Sequence, residues 1–151
     1  MTDETKTPAP QVWPTLRARD AHELIKFLVD AFGFEETAVF SDGDVVHHAE
    51  LAWPPGGGIM LGSAPTGESR ESSHPSKVPG SFAAYVVTDE PDALFARAVA
   101  HGATVIREPN DTDYGSRDFA VEDPEGNQWS FGSFRGESRK GESRKGEPRS
   151  N

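Results

Sequence analysis

A chain of 151 residues is one ordinary domain or two small fused modules, long enough to bury a real core. Its net charge of −10 argues against a nucleic-acid partner, which wants a basic face, and no run of eighteen apolar residues is present to span a membrane. The absence of cysteine excludes disulfides, thiolate metal sites and thiol nucleophiles, and with no apolar signal segment in residues 1–10 a cytoplasmic protein is expected.

The elements follow in order. Residues 1–10 lack periodicity and are expected to be a disordered N-terminus. Val12–Ala18 reads as a short strand ended by Asp20, an N-cap for a helix whose Leu24, Ile25, Phe27, Leu28, Ala31 and Phe32 form an apolar stripe. Gly33 stops that helix. Glu35–Ser41 alternates as a strand, Asp42-Gly43 signals a hairpin turn, and Val45–Trp53 is its partner. Pro54-Pro55-Gly56-Gly57 then turns the chain into Ile59–Gly62.

Residues 64–79, rich in Ser, Pro and Gly, read as a linker between a first module at 11–63 and a second at 80–135. In the second module Ser81–Val87 is a strand, and Asp89 to His101 a helix with Pro91 in its first turn and Gly102 behind it. Thr104–Arg107 is the next strand, followed by a polar loop at Pro109–Tyr114. Arg117–Glu122 and Gln128–Phe134 form a hairpin across Asp123-Pro124-Glu125-Gly126-Asn127. The tail, 136–151, repeats GESRK twice and holds nothing apolar to bury, so it too is expected to be disordered.

The two halves share their punctuation. Asp20 and Asp89, Gly33 and Gly102, and Gly57 and Gly126 are each 69 apart, which suggests one supersecondary unit used twice. The expected fold class is α+β: two βαβββ modules forming a mostly antiparallel, cup-shaped sheet with the helices on its outer side.

At this point the residues resemble a family. DYGSRDFAVEDPEGNQWSFG (Asp113–Gly132) is similar to the closing hairpin of the vicinal-oxygen-chelate superfamily, which includes glyoxalases, extradiol dioxygenases and bleomycin-resistance proteins. RDAHELIKFLVDAFGFEE (Arg19–Glu36) and HHAELAW (His47–Trp53) resemble its first helix and third strand. The likeness spans residues 12–134. It implies a half-closed cup whose metal-dependent members place one His, Gln or Glu ligand on the first and last strand of each module. Carried over residue by residue, those positions fall on Trp13, Leu61, Phe82 and Ser130, none of which supplies a nitrogen or carboxylate ligand. No metal at these positions and no cofactor are therefore expected.

The remaining candidates are His48 and Glu50, two apart on a strand and so on one face. Such a pair can hold a ligand, work as acid and base, join a metal site with a third donor, or simply decorate a sheet. The 69-residue offset matches them with Arg117 and Phe119, so an Arg117 facing Glu50 would fix a zwitterion; pairing of Arg117 with Asp118, Glu122 or Asp123 is the bland alternative. Parity alone leaves open whether His48 and Glu50 or Ala49, Leu51 and Trp53 line the concave face. Tyr114 precedes Arg117 in the loop that borders the cavity in the family, and Trp13 falls at a family metal position. The expected ligand-binding set is Trp13, His48, Glu50, Tyr114 and Arg117.

The functional expectation is a metal-free protein that sequesters a small aromatic or cationic organic molecule. Its partners would be that molecule and a second copy in a homodimer, with neither nucleic acid nor membrane. The alternatives are an enzyme of the same superfamily, lyase- or dioxygenase-like, with a degenerate or relocated metal site at His48 and Glu50, and a regulatory module whose pocket is vestigial.

Overall fold

The computed structural model describes residues 9–65 and 78–136. The expectations of disorder at both ends and of a linker therefore fall largely outside the described residues. The element order is β1 (Thr15–Ala18), α1 (Ala21–Phe27) continued by a π-helical turn (Leu28–Phe32), β2 (Glu35–Asp42), β3 (Val45–Ala52), β4 (Gly58–Ser63), β5 (Ala83–Val87), α2 (Pro91–Ala100), β6 (Thr104–Asp111), β7 (Arg117–Glu122) and β8 (Gln128–Gly132). They form two four-stranded sheets of matching topology, β1-β4-β3-β2 and β5-β8-β7-β6. In each the first strand runs parallel to the last, and the other pairs are antiparallel. This is the expected pair of βαβββ modules.

Alternation decides which face each residue takes. In the first sheet Leu16, Ala18, Ala49, Leu51, Ile59 and Leu61 are buried under the helix, while Arg17, His48, Glu50 and Met60 point to the open side. In the second, Phe119, Val121, Trp129 and Phe131 are buried under the helices, which leaves Asp118, Ala120 and Ser130 on the open side. The question of parity is thus answered: Ala49 and Leu51 belong to the core, and His48 and Glu50 face outward from it.

Helix α1 starts where Asp20 accepts a hydrogen bond from the Glu23 backbone, 3.2 Å away. Its apolar stripe ends in Phe32, which crosses to the second module and packs on Trp129 and Phe131 with ring centroids 5.4 and 4.8 Å apart. Arg97 of α2 donates to the carbonyls of Asp30 and Val29, tying the second helix to the end of the first. The helices thus form a common layer, and the two modules share one core. Asp89 does not cap α2. Glu90 is the N-cap residue and Pro91 opens the helix, while Asp89 pairs with Arg135.

The 69-residue offset holds only for part of the repeat. Leu16 pairs with Leu61 as Val86 pairs with Phe131, and Ala49 pairs with Leu61 as Phe119 pairs with Phe131, so β1, β3 and β4 match their counterparts at 70. The helix ends at Gly33 and Gly102 and the first parts of β2 and β6, where Glu35, Glu36 and Ala38 match Thr104, Val105 and Arg107, keep 69. One extra residue in the first helix, which runs from Ala21 to Gly33 where the second runs from Pro91 to Gly102, lowers the match from 70 to 69, and one extra residue in β6 between Arg107 and Asn110 restores 70. A π-helical turn lets a helix take up an inserted residue while the strands on either side keep their places. Gly33, at φ 93°, then closes it in the left-handed conformation that favours glycine.

Candidate functional site

The Asp-Pro-Glu-Gly-Asn turn that carries the family resemblance works as structure. Asp123 is 4% exposed and accepts four hydrogen bonds: from the backbones of Glu125 and Asn127, from Asn127 Nδ2 and from Trp129 Nε1. Asn127 Oδ1 accepts from the Phe82 backbone. The Glu125 carboxylate reaches across to the first module, where it accepts from the backbones of Arg19 and Asp20 at 2.9 and 2.8 Å, just before α1. A turn this committed to satisfying buried polar groups specifies the fold and leaves the chemistry to other residues.

Those residues gather on the open faces. Across the first sheet, His48 Nε2 donates to Glu50 Oε2 at 2.8 Å, and both side chains are part-exposed. The His48 ring stacks near Phe40, 6.2 Å between centroids at 25°. Trp13 joins them: a methyl group placed on Gly58 would come within 2.9 Å of its ring, and Gly58 pairs with Ala52 on the side of Glu50. Three of the five expected site residues thus share one face.

Tyr114 lies on the open face of the other sheet. Its hydroxyl donates to Asp118 Oδ2 at 3.0 Å, and this bond, followed by burial, raises the phenol pKa above its ordinary value. Ser116 Oγ donates to the other carboxylate oxygen. Asp118, 5% exposed, lies across Gly132, where any side chain would collide with it. Tyr85 stands close by, its hydroxyl donating to the Phe134 carbonyl, and burial raises its pKa. Sequence reasoning missed Asp118 except as a partner for Arg117; the signal was its parity, which at the 70-residue match makes it the counterpart of His48.

Arg117 does not join these residues. It shares the helix side of β7 with Phe119, where it pairs with Asp92 in the first turn of α2 and with Asp111 of β6. Those two carboxylates hold its pKa far above the ordinary guanidinium value. The pairing with Glu50 fails because Glu50 corresponds to Ala120 and His48 to Asp118. The expected alternative partners, Asp118, Glu122 and Asp123, are not the ones used.

The same one-residue correction applies to the family metal positions. Leu61 is buried, and Phe82 packs on Trp129 at 5.4 Å, so neither projects into a cup. The open-side residues of the last strands are Met60 and Ser130, equivalent at 70. A thioether and a hydroxyl do not fit a hard divalent metal, nor does the Trp13 ring. Among the described residues no three His, Cys, Asp or Glu side chains are grouped to hold one.

A mainly apolar cleft of about 370 Å³ adjoins these faces, lined by Phe34, Trp53, Gly58, Tyr85, Trp129 and Arg135 among others. Trp53 Nε1 donates across it to the Val87 carbonyl. None of the five expected site residues lines it. The cleft offers volume but little chemistry, whereas the open faces offer both aromatic surface and convergent polar groups.

Two modules with a common helix layer and open, mixed aromatic and polar sheet faces define a cup-forming protein of the vicinal-oxygen-chelate type. The chain belongs to the Glyoxalase/Bleomycin resistance protein/Dioxygenase superfamily, which matches residues 11–131. It is 32% identical over 127 residues to the uncharacterized protein Rv0887c of Mycobacterium tuberculosis (strain ATCC 25618 / H37Rv), covering 82% of this chain and 74% of that protein. The same identity relates it to the uncharacterized protein Mb0911c of Mycobacterium bovis, over 82% of each. In structure it is similar to TioX from Micromonospora sp. ML1, with TM-score 0.69 and 23% identity over 83% of this chain and 98% of that one. It is also similar to TnmS3, an antibiotic binding protein from Streptomyces sp. CB03234, with TM-score 0.64 and 22% identity over 83% and 98%. These structural likenesses concern the fold. No helix among the described residues is long and apolar enough to cross a membrane.

Proposed function

We propose that this chain is a metal-free small-molecule-binding protein that sequesters an aromatic organic ligand on its open sheet faces, as a cytoplasmic homodimer. The observation that carries the reading is the first open face itself, where Trp13, Phe40 and the His48–Glu50 pair stand together beside Met60. Flat rings supply stacking area, and the hydrogen-bonded pair supplies polar recognition. That TnmS3, of the same fold, is an antibiotic binding protein agrees with it.

The dimer belongs to the same reading. Phe40, Tyr114 and Tyr85 are 60, 57 and 45% exposed, an aromatic surface that a lone chain leaves in water. A second copy laid over these faces would cover them and turn each shallow face into a cup, with closed twofold symmetry. Trp13, His48, Glu50 and Tyr114 are the proposed lining. A second reading, acid–base catalysis by His48 and Glu50, is favoured by their 2.8 Å hydrogen bond. The test is a screen of aromatic ligands by calorimetry with product analysis. Binding that His48→Ala and Trp13→Ala weaken, with the ligand recovered unchanged, supports sequestration; recovery of an altered ligand in amounts exceeding the protein's supports catalysis.

A further inference from the structure

Resting on that binding reading, we infer that Arg17 is an anion anchor of the open face and that the ligand is an aromatic acid: a planar molecule bearing a carboxylate, sulfonate or acidic phenolate. Arg17 lies on β1 opposite Gly62, half-buried on the same side of the sheet as His48 and Glu50. Its Nη1 lies over Gly62, so close that a methyl group there would stand 2.5 Å from it. The glycine therefore provides the seat, and β3 flanks it on the other side, with the His47 and Val46 carbonyls 3.1 and 3.2 Å from the same methyl position. The guanidinium thus reaches over the sheet toward the middle of the face.

What marks Arg17 is the contrast with the other cations. Arg19 pairs with Glu125, Lys26 with Asp30, Arg117 with Asp92 and Asp111, and Arg135 with Asp89. Arg97 donates to two backbone carbonyls. Among the described residues Arg17 and Arg107 have no such partner, and Arg107 is exposed on β6. In a chain of net charge −10, a half-buried guanidinium without a carboxylate stands out. A planar fork of donors at that place suits a bidentate oxyanion. The acids in the middle of both open faces are already served, Glu50 by His48 and Asp118 by Ser116 and Tyr114. Of the two ligand classes expected from sequence, aromatic and cationic, this arrangement selects the aromatic one and gives it a negative charge.

The test uses two fluorescent probes of similar shape, 1-anilinonaphthalene-8-sulfonate and its uncharged counterpart N-phenyl-1-naphthylamine, titrated into the full chain at neutral pH. Arg17→Gln is expected to weaken the sulfonate by about 10- to 100-fold, the range for a charged hydrogen bond, and to leave the neutral probe within twofold. Gly62→Ala, which displaces Arg17 without removing its charge, is expected to show the same selective loss, and Lys26→Gln, on the outer helix, to change neither probe. Unchanged sulfonate affinity in Arg17→Gln, an equal loss for both probes, or the same selective loss in Lys26→Gln would overturn the anchor. Wild-type protein that binds the neutral probe but not the sulfonate would overturn the acid while sparing the binding cup. Failure to bind either probe would remove both.

Discussion

Replacing Asp123 by Ala strips four hydrogen-bond donors of their acceptor at once. Two of them, Trp129 Nε1 and Asn127 Nδ2, belong to residues with no exposed surface, so water cannot substitute. Leaving a buried donor unpaired costs about 1–3 kcal/mol, and the two backbone donors, the Glu125 and Asn127 N–H groups, are buried as well, so a loss of at least about 4 kcal/mol is expected. Against the roughly 5–15 kcal/mol that holds an ordinary domain together, this is a large share. Asp123→Asn keeps the shape and one good acceptor and should cost about half as much. Urea denaturation followed by tryptophan fluorescence, with the transition slope checked for constancy, reads both losses. The transition should also report the first module, because Glu125 in the same turn accepts from the Arg19 and Asp20 backbones. An Asp123→Ala protein within about 1 kcal/mol of wild type, on the scale of a single ordinary hydrogen bond, would refute the view that this turn organises the fold.

Phe32→Ala removes the ring that joins the first helix to Trp129 and Phe131, and a loss of about 3–5 kcal/mol is expected from equilibrium denaturation. Acid should destabilise the protein partly through Asp92, whose pKa Arg117 lowers, and Asp30, lowered by Lys26. A depressed folded-state pKa contributes stability that is fully present above the ordinary value of 3.8 and fades as pH falls through the depressed one. Arg117→Gln should therefore flatten the decline in stability as pH falls below about 3.8, and parallel curves for variant and parent in that range would contradict this. Ligand affinity, once a ligand is found, should fall about 10-fold or more in His48→Ala and stay unchanged in Arg117→Ala, measured by calorimetry. Light scattering at rising concentration should report twice the chain mass, and a strict monomer would contradict the covered-cup arrangement.

The fold was legible because its signals are local. Asp20, Gly33 and Gly102, the Asp42-Gly43 turn and the alternation of Val45–Ala52 each mark an element without help from tertiary context. The π-helical turn at Leu28–Phe32 carries no such mark. It adds one residue to the first helix, and an irregularity between Arg107 and Asn110 adds one back to β6, so a repeat aligned on helix ends is one residue out on β3 and β4. On a strand a slip of one residue exchanges the faces. This is why the offset matches Arg117 to His48 although Arg117 shares its side with Phe119, and why it puts Leu61 where Met60 faces outward. His48 and Glu50 share a face because parity within one strand needs no comparison between modules. Arg17 escapes a reading of the sequence because a lone arginine on a short strand has no pattern; its interest lies in its seat on Gly62 and in the lack of a carboxylate partner among the described residues, and both are tertiary facts.

The three indole N–H groups report directly on where a ligand sits. Trp13 stands on the open face, Trp53 Nε1 is bonded to Val87 across the apolar cleft, and Trp129 Nε1 is bonded to Asp123 in the core. Three indole resonances in a proton–nitrogen NMR spectrum, assigned by single substitution, can be followed while N-phenyl-1-naphthylamine is added. A ligand bound on the open face should shift the Trp13 signal and leave that of Trp129 in place. A shift confined to Trp53, with Trp13 unmoved, would put the ligand in the cleft and contradict a binding site on the open sheet face.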